Sequence, residues 1–255
     1  MTKYFIIPYR DREGEKSVFI NHMSKILEDQ DFKLIFVHQK DTRQFNRGAM
    51  KNIGFLHIRK MKPQTYKNST FIFHDIDTMP HKKGQFNYET TEGTISHYYG
   101  FTWALGGMLA IKGIDFEKIY GFPNYWAWGF EDNKLHRKWS EMKGKIDRSQ
   151  FLPMNHKSVI QLVHGFPPKM WAKTMNMKNV TYQEDVATND GGFNTIRNLS
   201  YNVQNISNNV LMLHVTHFDP EKPESEGIYK HGIPAPSHKN KRIFGMNEIR
   251  RAARR

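Results

Sequence analysis

In the stretch FIFHDIDTMP an apolar run ends in two aspartates, Asp75 and Asp77, separated by Ile76. If the strand continued through them, both carboxylates would share one face, roughly 6.5 Å apart at about 3.3 Å per residue. One carboxylate can then bind a divalent cation while the other holds a metal-bound water or a hydroxyl. The same spacing also arises where a strand meets its turn and the acids only face water. Arg10 and Arg12 in PYRDR and Arg47 in FNRG supply guanidinium groups suited to bidentate contact with phosphate. A cation held by carboxylate among arginines is the chemistry of a nucleoside-diphosphate site.

A second constellation is GFPNYWAWGFEDN, Gly121 to Asn133. Glu131 and Asp132 stand where a helix is predicted to begin, and acids in a first turn are favoured by the helix dipole, so they can serve as caps alone. Trp126 and Trp128 occupy a Gly-flanked loop just before them. We expect the tryptophans to stack on a sugar face rather than fill the core, which would put a carboxylate beside an aromatic platform, as deprotonation of a sugar hydroxyl requires.

These residues need elements to bring them together. YFIIP, FKLIFVH and STFIFHD are strand-like, and between them lie a segment with Val18, Phe19, Met23, Ile26 and Leu27 on one helical face and the helical RGAMKNIGFLHI. That β-α-β-α-β order predicts an α/β fold, a mostly parallel twisted sheet with flanking helices. Ligands sit beyond the carboxyl ends of strands in such sheets. PYRDR, QKDTRQFNR and DID all fall there. After Tyr99 the pattern predicts an irregular, loop-rich C-terminal half with one polar helix near 131–143 and late strands near SVIQLVH and NVLMLHV.

The chain has 255 residues, enough for one large domain, and its composition is that of a folding protein, with 38% hydrophobic residues and 13% aromatics. We place the catalytic domain at 1–219 and a Pro-, Lys- and Arg-rich tail at 220–255. Residues 236–255 carry a net +6 of the overall +13, so much of the basic character belongs to a terminal segment rather than a nucleic-acid-binding face. There is no cysteine, which removes thiolate nucleophiles and cysteine-ligated zinc and suits a reducing compartment. No stretch approaches the roughly 20 apolar residues of a membrane span, nor is there a secretory h-region. The expectation is a soluble, cytoplasmic protein, in which the four N-x-S/T sequons have no meaning.

In order along the chain, IIPYRDR, FNRGAMKNIGF, FIFHDID, YYGFTWAL and GFPNYWAWGFEDN resemble motifs of the β-1,4-galactosyltransferase family and of the related chondroitin N-acetylgalactosaminyltransferase domains. DGGFNTIRNLSYNV, from Asp190, is similar to a later element of that family, and the resemblance spans roughly residues 4–215. It implies a single GT-A type domain, a UDP-sugar donor, a carbohydrate acceptor and Mn2+ at the Asp-x-Asp. Pro8, Tyr9, Arg10, Arg12, Phe45 and Arg47 would hold the uridine and its diphosphate. Asp77 would be the direct metal ligand, with Asp75 and Ile76 at the donor and His164 in IQLVHGF as the imidazole ligand. Asp132 would be the catalytic base, with Glu131 its neighbour in the acceptor site. Trp128, Gly129, Phe130 and Asn133 would line that site, Trp128 also facing the donor. An aromatic at Tyr98 would exclude an N-acetyl group and favour UDP-galactose over UDP-N-acetylgalactosamine. The chain departs from the family at Gln161 and Leu162, where a methionine or second histidine is usual, at Phe101 and Phe130 in place of glycines, and at Asn133 in place of an acid. The last three would reshape the acceptor pocket. Two other classes fit fewer of these residues: a metal-dependent phosphohydrolase using Asp75, Asp77 and His164, and a basic nucleic-acid-binding protein.

Overall fold

The computed structural model describes residues 1–126, 130–162 and 191–220. Strand β1 (Lys3–Tyr9) is buried along its whole length because it lies between two helical layers, which is why its sequence is a continuous apolar run. Successive residues point to opposite faces. Tyr4 and Ile6 join one core with Ile53 and Phe55 of helix α2 (Arg47–Met61), whereas Phe5 and Ile7 join another with Phe19 and Met23 of helix α1 (Glu13–Ile26). Strands β2 (Phe32–Gln39) and β3 (Thr70–His74) flank β1, both parallel to it. The expected β-α-β-α-β unit is present, and its three strands end side by side.

Past β3 come β4 (Thr78–Pro80), β5 (Thr94–Gly100), β6 (Met108–Lys112), the short helix α3 (Gly113–Lys118), helix α4 (Glu131–Glu141), β7 (Lys145–Asp147), β8 (Leu152–Pro153), β9 (Val159–Gln161), β10 (Arg197–Ser207) and β11 (Val210–Asp219). Nine strands form one sheet in the order β10-β11-β2-β1-β3-β6-β5-β7, with β8 paired to β5. The sheet is mixed. Its centre is parallel, while β6 runs antiparallel to β3 and β5, and β10 antiparallel to β11. The half read as irregular loops therefore contributes five strands to the main sheet, β6 to β8 with β10 and β11. A small ribbon of β4 with β9 stands apart. The tail at 221–255 lies outside the described residues, and among the described residues no helix is long and apolar enough to cross a membrane.

Candidate active site

Strand β3 stops at His74, so Asp75 and Asp77 do not extend it; they sit in the turn leading to β4. The even spacing of a continued strand is thereby replaced by a turn pinned from two sides. The Asp75 amide donates to the Gly107 carbonyl at 3.0 Å, and the Leu162 amide donates to the Asp77 carbonyl at 2.7 Å. Burial, then the neighbouring Asp75 charge, pushes the Asp77 carboxyl up to about 6 despite Arg12 and Arg47 nearby. Two acids held this close in one turn suit a hard dication with oxygen ligands. His164 lies outside the described residues, and the side-chain amide of Gln161 donates to the Tyr99 hydroxyl at 2.8 Å.

Arg47 opens α2, whose Asn46 cap accepts the Ala49 amide at 2.9 Å and is itself tied to Gln39 at the end of β2. From there its guanidinium reaches three carboxylates. Nη2 donates to Asp75, and Nη1 donates to Glu131 and, at 2.8 Å, to Asp132 Oδ2. The two acidic motifs, which begin 56 residues apart in sequence, meet on one cation. Lys51, one turn further along α2, donates to Asp132 Oδ1 at 2.7 Å. Burial opposes ionisation of Asp132, but Arg47 and Lys51 outweigh it and hold the carboxyl below its usual range. Gly106 packs on the other side of this carboxylate, where a Cβ would stand 2.2 Å from Oδ2. Glu131 and Asp132 are indeed in the first turn of α4, yet they do more than cap it. The residue before them, Phe130, has φ +68°, a left-handed conformation that costs a non-glycine residue about 1–2 kcal/mol.

Arg12 stands near Asp77 and pairs with Glu15 at 3.1 Å. Arg10 donates to the carbonyls of Gln39, Asp41 and Arg43 and lies over the Phe45 ring at 5.6 Å, so in this conformation it shapes the loop after β2. Tyr9, buried beside Pro8, donates its hydroxyl to Glu13 at 2.9 Å, and Ile76 is buried in the turn between the two aspartates. Asn133 and His136 of α4 both donate to the Trp103 carbonyl, at 3.3 and 3.1 Å. Trp128 and Gly129 lie outside the described residues.

Three expectations need correction. Trp126 is a core residue, stacked on Phe218 at 5.5 Å with the Arg43 guanidinium 4.7 Å from each ring. Tyr98 does not face the Asp-x-Asp turn. It is buried against Phe86 and Tyr88, and its hydroxyl donates to the Glu89 carbonyl at 2.9 Å, with Asn87 Oδ1 3.1 Å away. Finally, Gly100-Phe101 is not the glycine pair of the site. Gly106 and Gly107 do that work, one against Asp132 and the other accepting from Asp75, so the two residues before the pair are Ala104 and Leu105. The sequence reading also missed Lys51, although a lysine four residues after Arg47 on an otherwise apolar helix face was a visible signal. It missed Trp103 as well, which stacks on Phe101 at 4.7 Å, the two residues being 63% and 44% exposed on the loop beside α4.

A mixed sheet whose central strands deliver an Asp-x-Asp turn to an acidic helix start is the GT-A architecture of glycosyltransferases. The catalytic domain of Drosophila β1,4-galactosyltransferase 7 in complex with xylobiose superposes with a TM-score of 0.68 at 21% identity, over 84% of this chain and 93% of that one. A mutant of the same enzyme in complex with manganese, UDP-Gal and xylobiose gives 0.65 at 20%, with the same coverage. Residues 2–89 match the N-terminal region of glycosyl transferase group 7, and residues 90–164 match the family described as the N-terminal domain of galactosyltransferase. The chain belongs to the β-1,4-galactosyltransferase family. β-1,4-Galactosyltransferase 4 of Cricetulus griseus is 32% identical over 156 residues, 56% of this chain and 44% of that protein. Xylosylprotein 4-β-galactosyltransferase of Caenorhabditis elegans is 27% identical over 172 residues, 63% of this chain and 57% of that protein. The chain thus spans about half the length of these relatives.

Proposed function

We propose that the protein is an inverting, metal-dependent glycosyltransferase that moves galactose from UDP-galactose to a hydroxyl of a carbohydrate acceptor. The observation that carries this reading is the gathering of Asp75, Glu131 and Asp132 on the single guanidinium of Arg47. This gathering supports reading Asp132 as a base beside a diphosphate and metal site, where a donor and an acceptor can meet. The galactose and manganese assignments draw on the names and bound ligands of the relatives.

In this reading Asp77 and His164 hold Mn2+, which when bound would offset the charge developing on the leaving diphosphate. Arg12 and Arg47 contribute positive charge at the same end of the sheet. Asp132 accepts the proton of the acceptor hydroxyl as that oxygen attacks the anomeric carbon from the face opposite the diphosphate. The C–O bond to the diphosphate breaks in the same displacement, giving inversion with no covalent enzyme intermediate. The exposed rings of Phe101 and Trp103 suit the apolar face of the acceptor pyranose.

Asp77→Ala should abolish manganese-dependent binding of UDP while lowering thermal stability little, since a turn carboxylate crowded by another acid contributes little to the fold. Titration calorimetry with Mn2+ and UDP checks this; unchanged affinities would remove Asp77 from the metal site.

A specific observation favours a second donor. With the glycine pair at Gly106-Gly107, the position that the resemblance assigns to a bulky aromatic in galactose-specific members falls at Ala104 rather than Tyr98. A methyl group there leaves room for an N-acetyl substituent. Galactose transfer should therefore be accompanied by measurable N-acetylgalactosamine transfer, and Ala104→Tyr should suppress the latter selectively, by about 10-fold or more. Side-by-side rates with the two UDP-sugars decide the matter. A wild type that rejects the N-acetylated donor, or a variant that leaves the ratio unmoved, would rule out Ala104 as the determinant.

A further inference from the structure

Lys51 is only 1% exposed, an ammonium placed on a helix face that packs against apolar side chains. An aliphatic residue would fill this space without the cost of taking a charge out of water. Its surroundings give that charge two partners. Nζ lies 2.7 Å from Asp132 Oδ1 and 4.2 Å from the centroid of the Phe122 ring. Asp132 is thereby held at both oxygens by different cations, Oδ1 by Lys51 and Oδ2 by Arg47, with Gly106 closing the remaining side. Arg47 is shared with Asp75 and Glu131, whereas Lys51 is, among the described residues, the cation here that pairs with Asp132 alone of the acids.

We propose that Lys51 is a positioning residue for the transfer step, fixing the Asp132 carboxylate by Oδ1 in one orientation and keeping it ionised until the acceptor hydroxyl arrives. The proposal rests on the reading of Asp132 as the base. A carboxylate has about four lone-pair sites, so two ion pairs still leave room to accept the hydroxyl proton. The other groups facing Asp132 cannot replace Lys51. Arg47 is already committed to three acids, and Glu131 and Asp75 carry the wrong sign. His136, on the same helix, is bound to the Trp103 carbonyl. His97, across Gly106, is held neutral by burial, with Nε2 on the Gly106 carbonyl and Nδ1 accepting from Arg148.

Removing the ammonium must raise the pH at which Asp132 takes up a proton, so the acid limb of turnover moves to higher pH. The test compares Lys51→Met with Lys51→Gln, which retains an N–H donor without the charge. At saturating donor and acceptor, Lys51→Met should shift the acid limb up by about one pH unit and lower the plateau about 10-fold. Lys51→Gln should recover most of the plateau and keep the shifted limb, with the donor KM within about twofold of wild type in both. An acid limb that stays in place in both variants overturns the proposal, as does an equal, pH-independent loss in both. A thermal double-mutant cycle of Lys51→Met with Asp132→Asn reads the pair without turnover: the double variant should melt above Asp132→Asn alone, and additive losses overturn the coupling. A wild type that transfers no sugar overturns the transferase reading and this proposal together. An unmoved limb in an active enzyme overturns this proposal alone.

Discussion

Asp132→Asn should retain UDP affinity in the presence of Mn2+ and lose turnover by about 100-fold or more, because it removes the proton acceptor and leaves the donor side intact. The variant should also be less stable than its isosteric shape implies. Lys51 has a side chain 2% exposed, and in the variant its ammonium faces a neutral amide. Breaking a buried pair from one side costs about 3 kcal/mol or more. Single-turnover rates and thermal melting measure the two effects separately. Near-normal turnover at saturating substrates would move the base to Glu131, and an unchanged melting temperature would mean that Lys51 finds another partner.

Arg47→Met should be the more damaging change to the fold. It leaves Asp75 and Glu131 without the guanidinium that joins them and leaves Asp132 with Lys51 alone. A loss of about 3–5 kcal/mol is expected, together with UDP binding. Arg47→Lys should restore little of this, because one ammonium cannot reproduce a planar fork that spans three acids. The pH dependence identifies the cause. Arg47 is one of the charges that limit the rise of the Asp77 carboxyl, already pushed up to about 6, so without the guanidinium that group goes higher still, protonation favours the folded variant and its stability recovers as pH falls through that raised value. The gap in melting temperature from wild type should therefore narrow from about pH 8 to about pH 5. A gap that is constant over that range, or within about 2 °C throughout, would mean that the three acids find other compensation.

Much of this site was legible because it depends on local pattern. The apolar runs ending in PYRDR, QKDTRQFNR and DID implied parallel strands with polar termini, and β2, β1 and β3 bring those termini together. The helical period of RGAMKNIGFLHI marked α2. Other features depended on contacts far along the chain. Trp126 looked available for a sugar because Phe218, on which it stacks, comes 92 residues later. Tyr98 was assigned to the donor because Gly100-Phe101 was matched to the family's glycine pair, whereas the contacts of Gly106 with Asp132 and of Gly107 with Asp75, distant in sequence, identify the pair. Tyr99 is the residue that accepts hydrogen bonds from Gln161 and the Asn155 amide. The role of Gly106 could not be read from its neighbours, since the atom excluding a side chain there belongs to Asp132.

The position of β11 has a consequence for how the molecule comes into being. This strand, Val210 to Asp219, lies parallel to β2 with Val210 opposite Leu34, so a strand formed near the start of the chain must wait for one made near residue 215. Until then β2 presents an open edge of unpaired amides and carbonyls along an apolar strand, the kind of edge that recruits other chains. Pairings of such long sequence separation form slowly. A nascent chain halted before β11 would hold the three polar loops of the site in sequence but leave the sheet open beside the second of them. Shielding of that edge during synthesis is thus a requirement imposed by the strand order itself.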